Sequence, residues 1–296
     1  MTARTGPEIQ AFFDEGTNTV SYLVSDPATR EAAVIDPVLD FDPRSGKVSV
    51  AGAERLLAAA CEAGLRITWI LESHAHADHL SAAQYLKTKT GAKVGIGAHI
   101  GKVQKIFNPL FNIEAANDGS EFDRLFGDGD RLALGELTLE VMATPGHTPA
   151  CVSYKAGDAV FVGDTLFMPD YGTARADFPG GDARTLYRSI RRLLALPPAT
   201  RLFMCHDYKA PGRDTYAWET TVAEERRGNV HIHDGVSEDD FVAMREARDK
   251  TLAAPVLLLP SIQVNIHAGH IPSAERNGKR YLKLPLTIPG EVDAAV

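Results

Sequence analysis

Ile67-Thr-Trp-Ile-Leu-Glu-Ser-His-Ala-His-Ala-Asp-His79 is an apolar run that ends in a knot of ionisable groups. The run Ile67–Leu71 reads as a buried strand. Directly after it, His74, His76, Asp78 and His79 fall within six residues. Imidazole together with carboxylate is the ligand set of zinc and iron. Four such groups packed together without a cation would be costly to desolvate. Three further residues of these types stand at apparent strand ends downstream: His147 in Ala143-Thr-Pro-Gly-His-Thr-Pro149, Asp164 in Phe161-Val-Gly-Asp-Thr165, and His206 in Phe203-Met-Cys-His-Asp-Tyr208.

Upstream, residues 10–36 alternate apolar and polar and predict two or three antiparallel strands, with turns at Gly16 and Asp26-Pro. Residues 41–48 read as a polar loop. Helical spacing runs from Ser49 to Gly64, and Gly64 suits the stop. A helix is expected over 78–90, with Leu80, Ala83 and Leu86 on its buried side. A short strand at 94–96 and a helix over 99–110 follow. Residues 119–129 read as a loop, and 132–162 as a run of short strands. Helices are expected at 182–194, 215–227 and 237–250, with a strand at 202–204. The tail 251–296 shows few periodic features. This pattern predicts an α/β domain over 1–235, and an extension over 236–296 packed on the same domain.

The bulk properties narrow the function. The net charge of −8 over 296 residues argues against a nucleic-acid surface. The three cysteines, Cys61, Cys151 and Cys205, show no paired spacing, so neither a disulfide framework nor a thiolate zinc site is expected, which fits a cytoplasmic protein. The N-terminal stretch lacks an apolar signal core, and no apolar stretch is long enough to span a membrane. His231, His233, His267 and His270 are expected to be ordinary hydrogen-bonded residues. Asp36 in Ile-Asp-Pro reads as a turn residue, and Asp182 as a helix cap.

His-Ala-His-Ala-Asp-His, followed in order by His147, Asp164 and His206, resembles the signature of the metallo-β-lactamase superfamily. The resemblance covers roughly residues 10–230 and implies an αββα sandwich with the site at one edge. In two-metal members, His74, His76 and His147 would hold one ion, Asp78, His79 and His206 the other, and Asp164 would bridge. Two subgroups acting on glutathione-linked substrates are the nearest. Glyoxalase II is a two-metal thioester hydrolase, and the persulfide dioxygenases use one iron.

The segment after Asp164 resembles the dioxygenase pattern Gly-x-x-Arg-x-Asp-Phe, here Gly172-Thr-Ala-Arg-Ala-Asp-Phe178. Ala77 within His-Ala-Asp-His, Cys205-His-Asp-Tyr208 and the stretch from Val222 to Asn229 are similar to that group as well. Ser261-Ile-Gln-Val-Asn-Ile-His-Ala-Gly269 is similar to the longer bacterial members. Gly172-Thr-Ala-Arg175 departs from the Gly-Cys-Gly-Arg of shorter members, which leaves the carrier thiol open. The resemblance implies one Fe(II) per chain on His74, His147 and Asp164, with positions left for substrate and O2. His76, Asp78, His79 and His206 would then orient those ligands or hold a second metal. Arg175, Thr148 and Tyr208 are implied near the tripeptide, and Lys209 is a weaker candidate. For Arg175 an ion pair with Asp177 or Asp170 is the competing role.

The function expected on this resemblance is oxidation of glutathione persulfide by O2 to sulfite, in sulfur metabolism and hydrogen sulfide detoxification. The alternative is a glyoxalase II-like hydrolase with two Zn. A homodimer or higher homo-oligomer is the expected assembly.

Overall fold

The computed structural model describes residues 6–288. Residues 1–5, part of the stretch that lacks a signal core, and residues 289–296 of the extension lie outside it. The first half runs β1 (Glu8–Asp14), β2 (Thr19–Ser25), β3 (Glu31–Ile35), β4 (Val38–Asp42), β5 (Lys47–Ser49), α1 (Ala51–Glu62), β6 (Arg66–Leu71), β7 (Leu80–Ser81), α2 (Ala83–Thr90), β8 (Lys93–Gly97), α3 (Ile100–Leu110) and β9 (Arg124–Phe126). The second runs β10 (Arg131–Leu134), β11 (Leu137–Ala143), β12 (Val152–Ala156), β13 (Ala159–Phe161), α4 (Ala183–Leu194), β14 (Arg201–Phe203), β15 (Glu219–Thr221), α5 (Val222–Gly228), α6 (Glu238–Asp249) and α7 (Leu258–Asn265).

Two six-stranded sheets, ordered β1-β2-β3-β6-β8-β9 and β10-β11-β12-β13-β14-β15, face each other. Period-two alternation builds the layers. On β2, Val20, Tyr22 and Val24 enter the core between the sheets, while Leu23 faces the opposite side with α1, α2, α3 and α7. On β14, Phe203 faces the inner core, and Leu202 packs outward with α4 and with Phe241 of α6. The result is an αββα sandwich. Each such fully buried Leu, Ile or Phe contributes about 1.5–3 kcal/mol relative to exposure. Buried Tyr154 crosses between the layers, its hydroxyl donating to the Glu72 carbonyl at 2.8 Å.

Parallel pairing decides where the site lies. β3, β6, β8 and β9 pair in parallel, and so do β13 and β14. Their C-terminal ends therefore open on one edge, where loops can project side chains into a crevice. The two sheets are stitched there. Val20 N donates to Cys205 O at 2.7 Å, and Thr19 bridges His206.

Several expectations need correction. Residues 41–48 are not a loop but the β4–β5 hairpin, with Asp42 accepting from Arg44 N and from the Ser45 hydroxyl in its turn. The helix expected from 78 begins at Ala83, because the Ser81 and Ala82 N–H groups bond to Asn265 Oδ1 and Pro37 O instead. Residues 119–129 contain β9. Residues 215–227 split into β15 and α5, and α5 opens with a capping box between Thr221 and Glu224. The tail carries α7, buried on nearly all sides and so without amphipathic period. Asp182 caps α4 by accepting from Thr185 N at 2.7 Å. Among the described residues, no helix is long and apolar enough to cross a membrane.

Candidate metal centre

The segment from His74 to His79 follows β6 as irregular chain, its small residues Ala75 and Ala77 letting it lie inside the protein. His147 comes from the β11–β12 connection, Asp164 from a single 3-10 turn after β13, and His206 from the end of β14. All converge. His74 Nε2 lies 3.8 Å from Asp164 Oδ2, His147 Nε2 3.7 Å from the same oxygen, and His206 Nε2 3.2 Å from Asp164 Oδ1. His206 Nε2 is also 3.5 Å from Asp78 Oδ2.

The imidazoles are oriented from behind. A carbonyl can only accept, so His147 Nδ1 donates to Arg175 O at 2.8 Å, and His206 Nδ1 donates to Asn18 O at 3.1 Å. His76 turns Nε2 toward the buried carboxylates of Asp36, at 3.0 Å, and Glu72, at 3.4 Å. His74 Nδ1 meets the Ser73 hydroxyl at 3.0 Å. The opposite nitrogens, His74 Nε2, His76 Nδ1, His79 Nε2 and His206 Nε2, are buried without a hydrogen-bond partner, as is Asp164 Oδ1. Such orphaned groups are rare in folded proteins, and one or two bound cations with their water would satisfy them.

Donor atoms of His74, His147 and Asp164 lie within 4.8 Å of one another, and so do those of His76, Asp78 and His79. These residues fit a metal ion. Electrostatics agree. Burial opposes charging of His206, but Asp164 and Asp78 outweigh it and raise its pKa to about 9, a field that favours a metal cation in the same way. Burial likewise resists ionisation of Asp164, yet His206, His74 and His147 hold its carboxyl well below the usual range. His74 is pushed down by burial and by His76.

Sequence reasoning missed three partners. Asp36 is 2% exposed and accepts from Ser73 N at 2.6 Å, from His76, and from the Cys205 thiol at 3.6 Å. Glu72 accepts from the Ser81 hydroxyl. Asn265 of α7 bonds to the His76 and His79 carbonyls. Two acids at the ends of adjacent parallel strands were the available signal for Asp36 and Glu72.

A cavity of about 870 Å3 opens over Asp78, His147 and Asp164. That volume suits a small organic ligand. Phe167, Tyr171 and Tyr208 form one wall, the β4–β5 hairpin a second, and Arg175, Arg245, Arg248 and the 252–257 stretch of chain a third. Arg213, paired with both Asp207 and Asp170, braces the aromatic wall. Arg175 lines the cavity but is engaged, with Nε and one Nη on Asp177 at 2.5 and 2.7 Å and the other Nη on Ala253 O at 2.7 Å. Tyr208 lines it and stacks on His206 at 5.5 Å. Thr148 does not line it. Its side chain is fully buried against Cys151 Sγ and caps its own turn through Ala150 N. Lys209 is not among the residues lining the cavity, and its Nζ lies 4.1 Å from the Tyr216 ring centre. His231 and His267 are hydrogen-bonded structural residues, and His233 and His270 are exposed.

Residues 14–206, which contain every ligand candidate, match the family model of the metallo-β-lactamase superfamily. The chain belongs to that superfamily. It is 58% identical over 290 residues to a probable metallo-hydrolase of Burkholderia pseudomallei, covering 94% of this chain and 98% of the relative. It is 48% identical to glyoxylase B2 of Dictyostelium discoideum, covering 94% and 97%. To the mitochondrial persulfide dioxygenase ETHE1 of Homo sapiens it is 31% identical, covering 79% and 78%. The crystal structure of ETHE1 from Myxococcus xanthus superposes with a TM-score of 0.70 at 33% identity, covering 89% of this chain and all of that one. The chain spans 65% of the length of a β-lactamase hydrolase-like protein of Xylella fastidiosa. A metal-dependent enzyme of this superfamily is the common ground.

Proposed function

We propose that the chain is a persulfide dioxygenase that oxidises the outer sulfur of glutathione persulfide, or of a related small persulfide. The balanced reaction is RSSH + O2 + H2O giving RSH + sulfite + two protons. The observation that supports the reading is the compact set made by His74, His147 and Asp164, whose donor atoms lie within 4.8 Å of one another. Two imidazoles and one carboxylate on one face are the set for mononuclear non-haem iron. Bound Fe(II) would supply the redox chemistry that joins O2 to sulfur. The ETHE1 likeness, in sequence and in structure, supports the same reading.

The chain's own residues do the rest. The Arg175 carbonyl fixes the His147 tautomer, leaving Nε2 free to ligate. His76, Asp78, His79 and His206 orient the ligands and hold water. Phe167, Tyr171 and Tyr208 shield one side of the reacting sulfur. Glutathione carries two carboxylates, and the cavity offers cations for them. Arg175 keeps N–H groups beyond those bound to Asp177 and Ala253, while the Arg248 and Lys47 side chains on the lining make no hydrogen bond or ion pair among the described residues. Tyr208 contacts the tripeptide in this reading. In this reading the enzyme works in the cytoplasm as a homo-oligomer, with 1–235 carrying the metal ligands and 236–296 packed on the same domain.

The second reading is a two-metal hydrolase of glutathione thioesters. It is favoured by the unpartnered His76 Nδ1, His79 Nε2 and His206 Nε2, which suit a second ion. One experiment separates the two. Iron-loaded protein given glutathione persulfide is expected to consume one O2 per sulfite, with about one iron per chain. Absence of O2 uptake together with rapid hydrolysis of S-lactoylglutathione and two bound metals would establish the hydrolase.

A further inference from the structure

The superfamily match ends at residue 206, yet the extension reaches the metal loop. Among the described residues, none of 74–79 makes a hydrogen bond from main chain to main chain. A segment so placed would be free to swing its side chains away from the ion. Asn265, on the last turn of α7 and 4% exposed, supplies what the backbone lacks. Its Nδ2 donates to His76 O at 2.8 Å and to His79 O at 2.7 Å, and its Oδ1 accepts from Ser81 N at 2.8 Å. Both donors and the acceptor of the amide are therefore spent on this loop and on the strand that follows it.

The two carbonyls bracket Asp78, so one amide group sets the pitch of the chain that aims His76, Asp78 and His79. We propose that Asn265 is a positioning residue of the metal centre, and that the extension is thereby a working part of the site. The inference rests on the metal site shared by the superfamily, not on the choice of iron or persulfide. The anchoring of α7 explains how a residue so far along the chain can do this. Gln104 donates to Ile266 O, Gln84 donates to Ala268 O, and His267 sits between Glu121 and Asn108.

Gln263 provides an internal control. It lies on the same helix, is 3% exposed, and bonds to Leu259 O and to both main-chain groups of Lys283, but not to the metal loop. Metal-free protein is titrated with Co2+ and followed by visible absorption, which reports ligand geometry independently of turnover. Asn265→Ala is expected to raise the Co2+ dissociation constant about 10–100-fold, the range for groups that orient ligands, and to change the spectrum. Gln263→Ala is expected to bind Co2+ as the parent does, although it unfolds at lower urea. Where Asn265→Ala fails to fold, Asn265→Ser keeps one donor and is expected to weaken binding by less. Binding equal to the parent in the Asn265 variants, or equal weakening in Gln263→Ala, would overturn the proposal.

Discussion

Asp36 adopts a positive φ of 49°, which suits the Ile-Asp-Pro turn, but its carboxylate also does chemical work. It receives Ser73 N and His76 Nε2 on the same oxygen. In Asp36→Asn the amide oxygen carries only a partial charge, so it holds those two N–H donors less strongly than a carboxylate does. Asp36→Asn is therefore expected to weaken metal binding about 10–100-fold, as measured by competition with a chromogenic chelator. The ligands themselves were legible in the sequence because three His and an Asp in six residues have no cheap structural use. Asp36 was not, because the Ile-Asp-Pro turn explains it locally and its tie to His76 exists only once β3 and β6 lie side by side, and Glu72, four residues before His76, was overshadowed by the ligand run it leads into. Glu225 is a different buried acid. Burial pushes its pKa up to about 8, against the opposing hydrogen bond from Asn229. Its unfolded value is near 4.5, so the folded state binds the extra proton. Its stabilising effect is complete below about pH 4.5 and is lost as pH rises toward 8, at no more than about 1.4 kcal/mol per unit. Urea midpoints of the parent are expected to fall between about pH 5 and 8 relative to Glu225→Gln, with the gap widening steadily.

At the level of elements, two glycines before ligands have definite tasks. Gly146 has φ +138°, and a Cβ there would sit 2.3 Å from the Leu186 backbone of α4. Gly163, at φ +53°, would place a Cβ 2.7 Å from the Ser73 side chain that touches His74. Gly146→Ala is expected to cost about 3 kcal/mol or more, through strain and overpacking together, and to displace His147. Denaturant unfolding with a metal assay reads both. Some strands were legible because one face is buried and the other is not, as in 132–134 and 137–143, and others, such as 67–71, because a short apolar run marks a strand buried on both faces. The β4–β5 hairpin was hidden by its charged, exposed edge, and β15 by the helical composition that runs into α5. Helix α7 was hidden because a helix buried all round offers no stripe. The wall segment 173–177 shows cooperation between elements. The buried Arg245–Asp249 pair of α6 binds Thr173 O and Ala176 N on either side of Arg175, whose carbonyl orients His147.

Over the whole molecule, the metal set spans residues 74 to 206, drawn from both sheets. An ion bound there links the two halves of the sandwich and has no equivalent site in the unfolded chain. Chelation is expected to lower the midpoint of thermal unfolding by roughly 5–10 °C, since an ion at a thousandfold its dissociation constant contributes about 4 kcal/mol. Calorimetry before and after removal and reloading checks this. The layered architecture was legible from the order of elements, whereas the reach of the extension into the site was not, because no spacing rule connects Asn265 to His79. The placement of the cysteines has a further consequence. Cys61 is exposed on α1, whereas Cys151 and Cys205 are sealed inside, the first with burial raising its pKa to about 12 and the second raised well above the ordinary range by burial and by Asp36. Neither interior sulfur is offered to solvent as a thiolate. On the persulfide reading proposed above, packing would thus withhold both interior thiols from exchange with sulfur-bearing solutes outside the protein, leaving Cys61 as the accessible one.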